Sequence, residues 1–191
     1  YNPLDIIQYL KRKLKDKKTL PNINPYYEGF KGTVSRINEK KFLVKGLYET
    51  IGDDKIRITE LPVGTWTMPY ISFLESLVDG SVNTKTGKRN TPSIKDFTSV
   101  CTEVTVDITI VFPRRKLIDL ESTIDENNCN GVVKLLKLIT TVSATNMHMF
   151  NNNGCLHKYE NAEEIIDEFY GVRLSMYEKR KTRLTRLNVF L

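Results

Sequence analysis

Ile58-Thr-Glu-Leu-Pro-Val-Gly-Thr-Trp-Thr67 is the stretch on which the reading of this chain turns. Going back from it, Ile56, Ile58 and Glu60 alternate with Arg57, Thr59 and Leu61, the period of a half-buried strand. Pro62 has no N–H for a ladder and stops the strand, and Gly64 marks a turn. Beyond it, Tyr70, Phe73, Leu74, Leu77 and Val78 recur at three- and four-residue spacing, which predicts a helix closed by Asp79-Gly80. Trp66, between strand end and helix start, is expected to anchor the two together in the core.

Upstream, Asn2-Pro3-Leu4-Asp5 reads as a helix start: a capping side chain, a first-turn proline, and an acid at the positive end of the dipole. Leu4, Ile7, Leu10 and Leu14 supply a helical stripe, and Pro21 and Pro25 exclude its continuation. Phe30–Ile37, Lys41–Tyr48 and Lys55–Leu61 have strand character, and the short polar separators between them favour antiparallel hairpins.

Downstream, residues 81–93 are a polar loop that includes Lys85, Lys88 and Arg89. Val104, Val106, Ile108, Ile110 and Phe112 alternate with mostly polar residues as a strand, and Pro113 opens a helix through Leu120. Gly131 to Lys137 predicts a short helix, Leu138–Phe150 an extended run, and Asn151-Asn-Asn-Gly154 a turn. Asn161 with Glu164 three residues on is a capping box before a long helix. Ile165, Ile166, Phe169, Val172 and Met176 share one face of it; charge interrupts from Glu178 to Arg183, and apolar residues return at Leu184, Leu187 and Leu191. That interrupted stripe is the pattern of an arm leaving a domain. The class expected is α+β: an antiparallel-sheet domain with flanking helices, then a long coiled-coil arm helix.

The chain has 191 residues, 40% of them hydrophobic, enough for one large or two small cores. No apolar run approaches the roughly 20 residues a membrane span needs, so no membrane partner is expected. The absence of an initial Met and the stop within a helical pattern make both ends read as cuts. Cys101, Cys129 and Cys155 are widely spaced and odd in number, as in reduced intracellular proteins. The net charge of +6 is unevenly spread: residues 1–48 carry 11 Lys/Arg against 4 Asp/Glu, and residues 171–191 carry 6 against 1, around an acidic middle. Basic ends suit a polyanion such as nucleic acid, or equally a solvated helix face.

The residues of most catalytic classes are missing. His148 and His157 lie in settings of packing or surface imidazoles, and Cys155 with His157 lacks zinc-site spacing. There is no glycine-rich phosphate loop and no Gly-x-Ser-x-Gly elbow, and Asp53-Asp54 reads as a turn rather than a metal pair. No catalytic, metal or cofactor residue is expected in this chain.

Four blocks, in order, carry a family likeness. Ile58–Thr67 resembles the Ile-Thr-Glu-Leu-Pro-x-x-Thr-Trp-Thr signature of eukaryotic-type type IIA DNA topoisomerases. Asn2-Pro-Leu-Asp-Ile-Ile7 is similar to the helix that follows their winged-helix region, and Pro25-Tyr-Tyr-Glu-Gly-Phe-Lys-Gly-Thr33 to a turn motif of theirs. Lys158-Tyr159, Glu168–Leu174 and Tyr177–Lys181 resemble the stretch that opens the C-gate coiled coil. The resemblance implies a tower domain over residues 1–160 of the DNA gate and the start of the C-gate helix over 161–191. It implies an ATP- and Mg²⁺-dependent homodimeric parent enzyme that passes one duplex through a break in another. The nucleophilic tyrosine, metal site and ATPase domain would lie outside this chain, which has no Arg-Tyr pair. It also implies a nuclear setting, or a host's cytoplasm if the source is a large DNA virus. Gly64 departs from the family, standing where relatives often carry Arg, and the basic loop from Asn83 to Asn90 looks longer than theirs.

The partner implied is double-stranded DNA. The segment matching the family's DNA-contact region is Lys137, Leu138, Ile139, Thr140, Thr141, Val142, Ser143, Ala144, Thr145 and Asn146, with Lys31 from the basic N-terminal third beside it as a candidate. Lysine meets a phosphate as a point charge, and hydroxyl and amide donors reach phosphate oxygens without reading sequence. Composition alone would make this a solvated sheet face; the resemblance turns the reading to contact. The alternative is a purely structural module that positions and dimerises the gate.

Overall fold

The computed structural model describes residues 1–15, 21–80, 92–125 and 128–189. The basic loop with Lys85, Lys88 and Arg89, and Leu191 of the arm stripe, lie outside the described residues. The chain is α+β and divides into two units: residues 1–27, 38–42 and 143–191 form one, and residues 28–37 and 43–142 the other.

The second unit is built on a four-stranded antiparallel sheet. Its strands are β3 (Leu47–Gly52), β4 (Lys55–Glu60), β6 (Ile108–Val111) and β5 (Asp96–Ser99), in that spatial order. Register follows the alternation read from sequence: Ile56 faces Ile110 and Ile58 faces Ile108 across β4 and β6, all four fully buried. Helices α2 (Thr67–Asp79), α3 (Lys116–Ser122) and α4 (Gly131–Leu135) complete this unit. Leu74, Leu117, Val132, Val133, Leu136 and Leu138 join the isoleucines in one core. Each such side chain contributes about 1.5–3 kcal/mol by leaving water. A separate sheet holds β1 (Thr33–Asn38), β2 (Lys41–Lys45) and β7 (Ile139–Ser143) in the order β1-β2-β7. Its central strand has Phe42, Leu43 and Val44 all buried.

Several expectations needed correction. The run Lys41–Tyr48 is two strands, not one. Gly46 parts them, because a Cβ there would collide with the Glu60 carbonyl and press on Pro62 at 3.3 Å, while its N–H donates to the Leu138 carbonyl at 2.9 Å. The alternation from Val104 to Phe112 is strand only at Ile108–Val111. Its first half is a turn closed by Thr102 N–H donating to Thr105 O at 2.9 Å, and Val104 is 92% exposed. The strand on the other side of β6 from β4 is Asp96–Ser99, which has one apolar residue and so left no periodic signal. Leu138–Phe150 is likewise interrupted, giving β7 and then β8 (His148–Phe150).

Trp66 is the larger correction: it is 80% exposed, not a core anchor. In a continuous helix Trp66, Tyr70 and Leu74 would share a face. Trp66 instead sits at the N-cap with φ −81° and ψ 141°, so its side chain leaves that face, and Tyr70 and Leu74 anchor the helix. The turn before it is as read: Thr65 N–H donates to the Pro62 carbonyl at 3.0 Å, with Gly64 at φ 86°.

The first unit contains α1 (Pro3–Leu14), a hairpin of β8 with β9 (Leu156–Lys158), and α5 (Ala162–Val189). Asn2 caps α1 by accepting from Leu4 N–H at 2.9 Å. The stripe Leu4, Ile7 and Leu14 is exposed, however; the buried residue is Tyr9, whose hydroxyl donates to Asp167 of α5 at 2.9 Å. Lys13 pairs with the same carboxylate and lies over the Tyr170 ring. Burial, and then the Asp167 bond, push the Tyr9 hydroxyl up to about 12. The capping box is offset by one residue: Asn161 accepts from Glu164 N–H at 2.8 Å, while the Glu164 carboxylate accepts from Glu160 N–H at 2.7 Å. The hairpin is tied to α5 by Glu168, which accepts from Asn152 N–H at 2.8 Å and from the Tyr159 hydroxyl at 2.6 Å. From Arg173 to Leu187 every side chain of α5 is exposed.

Candidate nucleic-acid interface

In the second unit the candidate site starts where α4 ends. Asn130 caps this short helix by accepting from Val133 N–H at 3.1 Å, and Val132, Val133 and Leu136 bury it. Lys137 then takes the left-handed conformation, φ 50°, which turns the chain out of the helix and into β7. Leu138 is fully buried, so its side chain belongs to the packing and not to the surface. Its N–H donates to Val133 O and its carbonyl accepts from Gly46 N–H, both at 2.9 Å. Thus Lys137 is held at the surface between two buried leucines.

Helix α2 holds this corner from its other side. The Tyr70 hydroxyl donates to the Leu136 carbonyl at 2.8 Å, and burial pushes that phenol well above its ordinary value. One turn on, the Phe73 ring lies under the Lys137 ammonium, 4.3 Å from Nζ to ring centre. Tyr70 and Phe73 are themselves in contact, with centroids 5.8 Å apart. Neighbouring Lys134 is engaged with Asp125 at 2.7 Å, whereas Lys137 makes no ion pair among the described residues. Its charge therefore remains available to an anion.

Along β7, Ile139 packs partly against the core, Thr140 and Val142 are half-buried, and Thr141 is exposed. Lys31 is exposed too, next to Gly32, whose Cα approaches the Lys45 carbonyl and the Phe30 ring too closely for any side chain.

The rest of the stretch belongs to the first unit. Ser143, Thr145 and Asn146 are exposed and Ala144 is half-buried. The Ser143 and Thr145 hydroxyls are 3.1 Å apart, Asn146 Oδ1 is 2.9 Å from His148 Nδ1, and Ala144 N–H donates to the Lys40 carbonyl at 2.9 Å. Phosphate-competent donors are present in both units. Sequence reasoning missed the supports, Tyr70 and Phe73; their only signal was helical spacing, which predicts burial and not which residue they hold.

No group of three or more His, Cys, Asp or Glu residues is arranged to hold a metal among the described residues, and their donor sets do not fit a Mg²⁺ centre. Cys101, Cys129 and Cys155 form no disulfide among the described residues. No helix among the described residues is long and apolar enough to cross a membrane.

The comparisons agree with this architecture. A family model for the A-subunit of DNA gyrase/topoisomerase IV matches residues 1–188. DNA topoisomerase 2 of Pisum sativum is 37% identical over 182 residues, covering 95% of this chain and 12% of that protein. The protein of the same name from Acanthamoeba polyphaga mimivirus is 30% identical over 232 residues, covering 96% of this chain and 18% of its own length. Among solved structures, the Plasmodium falciparum topoisomerase II DNA-binding, cleavage and re-ligation domain is similar with TM-score 0.72 and 32% identity, over 96% of this chain and 23% of that one. Fold and sequence together put the chain among the type IIA DNA topoisomerases. The relatives named above, from Pisum sativum, Acanthamoeba polyphaga mimivirus and Plasmodium falciparum, are eukaryotic and viral topoisomerase II proteins. The chain spans under a fifth of the length of either the Pisum sativum or the mimivirus protein.

Proposed function

We propose that this chain is part of the DNA gate of an ATP- and Mg²⁺-dependent, homodimeric type II topoisomerase, and that it supports the bent gate duplex through phosphate contacts. Residues 1–160 act as the tower and residues 161–191 begin the arm to the C-gate. Lys137 supplies charge, Thr140, Thr141, Ser143, Thr145 and Asn146 supply neutral donors, and Lys31 adds a second cation. The enzyme works in a nucleus, or in host cytoplasm if viral. Tyrosine nucleophile, metal ion and ATP are supplied from outside these residues.

The observation that carries the reading is the surface-held Lys137, buttressed by Phe73 and free of an acidic partner among the described residues, at the head of a hydroxyl-rich strand. Its physical sense is energetic: bending a site of 20–30 base pairs costs on the order of several kcal/mol, which distributed contacts offset. Such contacts position a duplex without specifying its sequence. Gel shift at low salt with two duplexes of unrelated sequence tests this. Equal binding that fades steeply as salt rises is expected; no binding at low salt leaves only a structural, gate-positioning role.

A further inference from the structure

From Phe169 onward, α5 exposes two different faces. Phe169, Met176, Leu184 and Leu187, each at least half exposed, follow one side of the helix. Ser175, Lys179, Thr182, Arg183 and Arg186 fall on an adjoining side, lining one shallow groove with Glu178 as its sole acid and Leu187 of the apolar side at its edge. At 3.6 residues per turn these five span about 100° of arc, and their centre lies about 110° from that of the apolar side. A helix packed on the apolar side, which Arg180 also shares, therefore leaves Lys179 and Arg186 in water, with Arg183 at the border between the two sides. The Ser175 and Thr182 hydroxyls donate back to the Val172 and Glu178 carbonyls, so the cations carry the chemistry of the groove. Lys179, Arg183 and Arg186 make no ion pair among the described residues. They rise along the axis in steps of ~6 and ~4.5 Å, forming a short row of charge. Residues 171–191 hold six Lys/Arg against one acid, a charge surplus that complements a polyanion.

We propose that the Lys179–Arg183–Arg186 face of α5 is a second duplex-binding surface, engaging DNA phosphates without reading sequence. It rests on duplex DNA being the ligand, as above, and adds a surface that Lys137–Asn146 does not include. Lys179, Arg183 and Arg186 are all exposed, and contacts from them to phosphates carry no sequence information.

The test is fluorescence anisotropy of the 191-residue chain with a short mixed-sequence duplex over a salt series. Wild type is compared with two variants: Lys179→Gln, Arg183→Gln and Arg186→Gln together, and Lys137→Ala with Thr141→Ala. Glutamine keeps helix propensity, and circular dichroism verifies the helix. The glutamine variant should flatten the slope of log K against log salt by about 2–3, since each phosphate contact contributes about 0.9, and should weaken low-salt binding by about tenfold or more. An unchanged slope and affinity overturns this proposal, and the gate reading survives if the Lys137 variant alone weakens binding. Loss confined to the glutamine variant supports the α5 surface and removes the Lys137 stretch from contact. A changed sedimentation coefficient with unchanged DNA binding makes the face a chain–chain contact and overturns the proposal. Failure of wild type to bind at low salt overturns both readings.

Discussion

The ammonium of Lys137 stands 4.3 Å from the centre of the Phe73 ring, and that contact joins the most recognisable stretch of the sequence to its candidate working surface. Ile58–Thr67 ends a core strand, turns at Gly64 and launches α2. Helix α2 then delivers Tyr70 to the Leu136 carbonyl and Phe73 to Lys137. The signature stretch shapes the interface through the helix it starts.

Tyr70→Phe removes the donor to a carbonyl in the core. An unsatisfied buried acceptor costs about 1–3 kcal/mol, so thermal unfolding should shift down by several degrees. An unchanged midpoint would mean the Leu136 carbonyl finds another partner. Burial raises the phenol above its ordinary value of 10.0, so its contribution is complete below pH 10 and is lost as pH rises toward the folded value.

Two substitutions at either end of the signature stretch should behave oppositely. Ile58→Ala empties a fully buried site and is expected to cost about 2–5 kcal/mol in urea unfolding. Trp66→Ala removes a mostly exposed ring and should change stability by no more than about 0.5 kcal/mol. Comparable losses at both positions would restore Trp66 to the core.

Gly64→Arg places a side chain at a backbone position with φ 86°. There is open space around the position, so the cost is conformational, about 1–2 kcal/mol. Chemical denaturation reads it directly; a neutral or stabilising result would show that the turn relaxes to another conformation.

Glu168 links the Asn151–Gly154 turn region, Tyr159 and α5. The Tyr159 hydroxyl first, and the Asn152 N–H second, hold its carboxyl below the ordinary 4.5. Its folded value is depressed, so its contribution is complete above pH 4.5 and is lost as pH falls through the folded value. Acid unfolding followed by circular dichroism should therefore be less steep below pH 4.5 in Glu168→Gln, which should also be less stable at neutral pH. Superimposable acid limbs would assign acid unfolding to other carboxylates.

Legibility in the sequence followed how local the cause was. The strand Lys55–Glu60, the Pro62–Thr65 turn and the Asn2 cap each depend on neighbours within a few residues, and each is where the pattern placed it. Strand Asp96–Ser99 depends on pairing with β6 and carries only Phe97 as an apolar signal, so periodicity could not find it. Tyr9 illustrates the same limit: its burial follows from Asp167, 158 residues away, while the apolar stripe beside it stays exposed. At the candidate site, residue type pointed to Lys137 and the hydroxyls, but only the fold separates buried Leu138 from exposed Thr141.

The most direct measurement is the salt dependence of duplex binding by wild type and Lys137→Ala. The DNA-gate account predicts weaker binding on all sequences alike and a log–log slope shallower by about 0.9 in the variant. Identical slopes and affinities for the two proteins would contradict it.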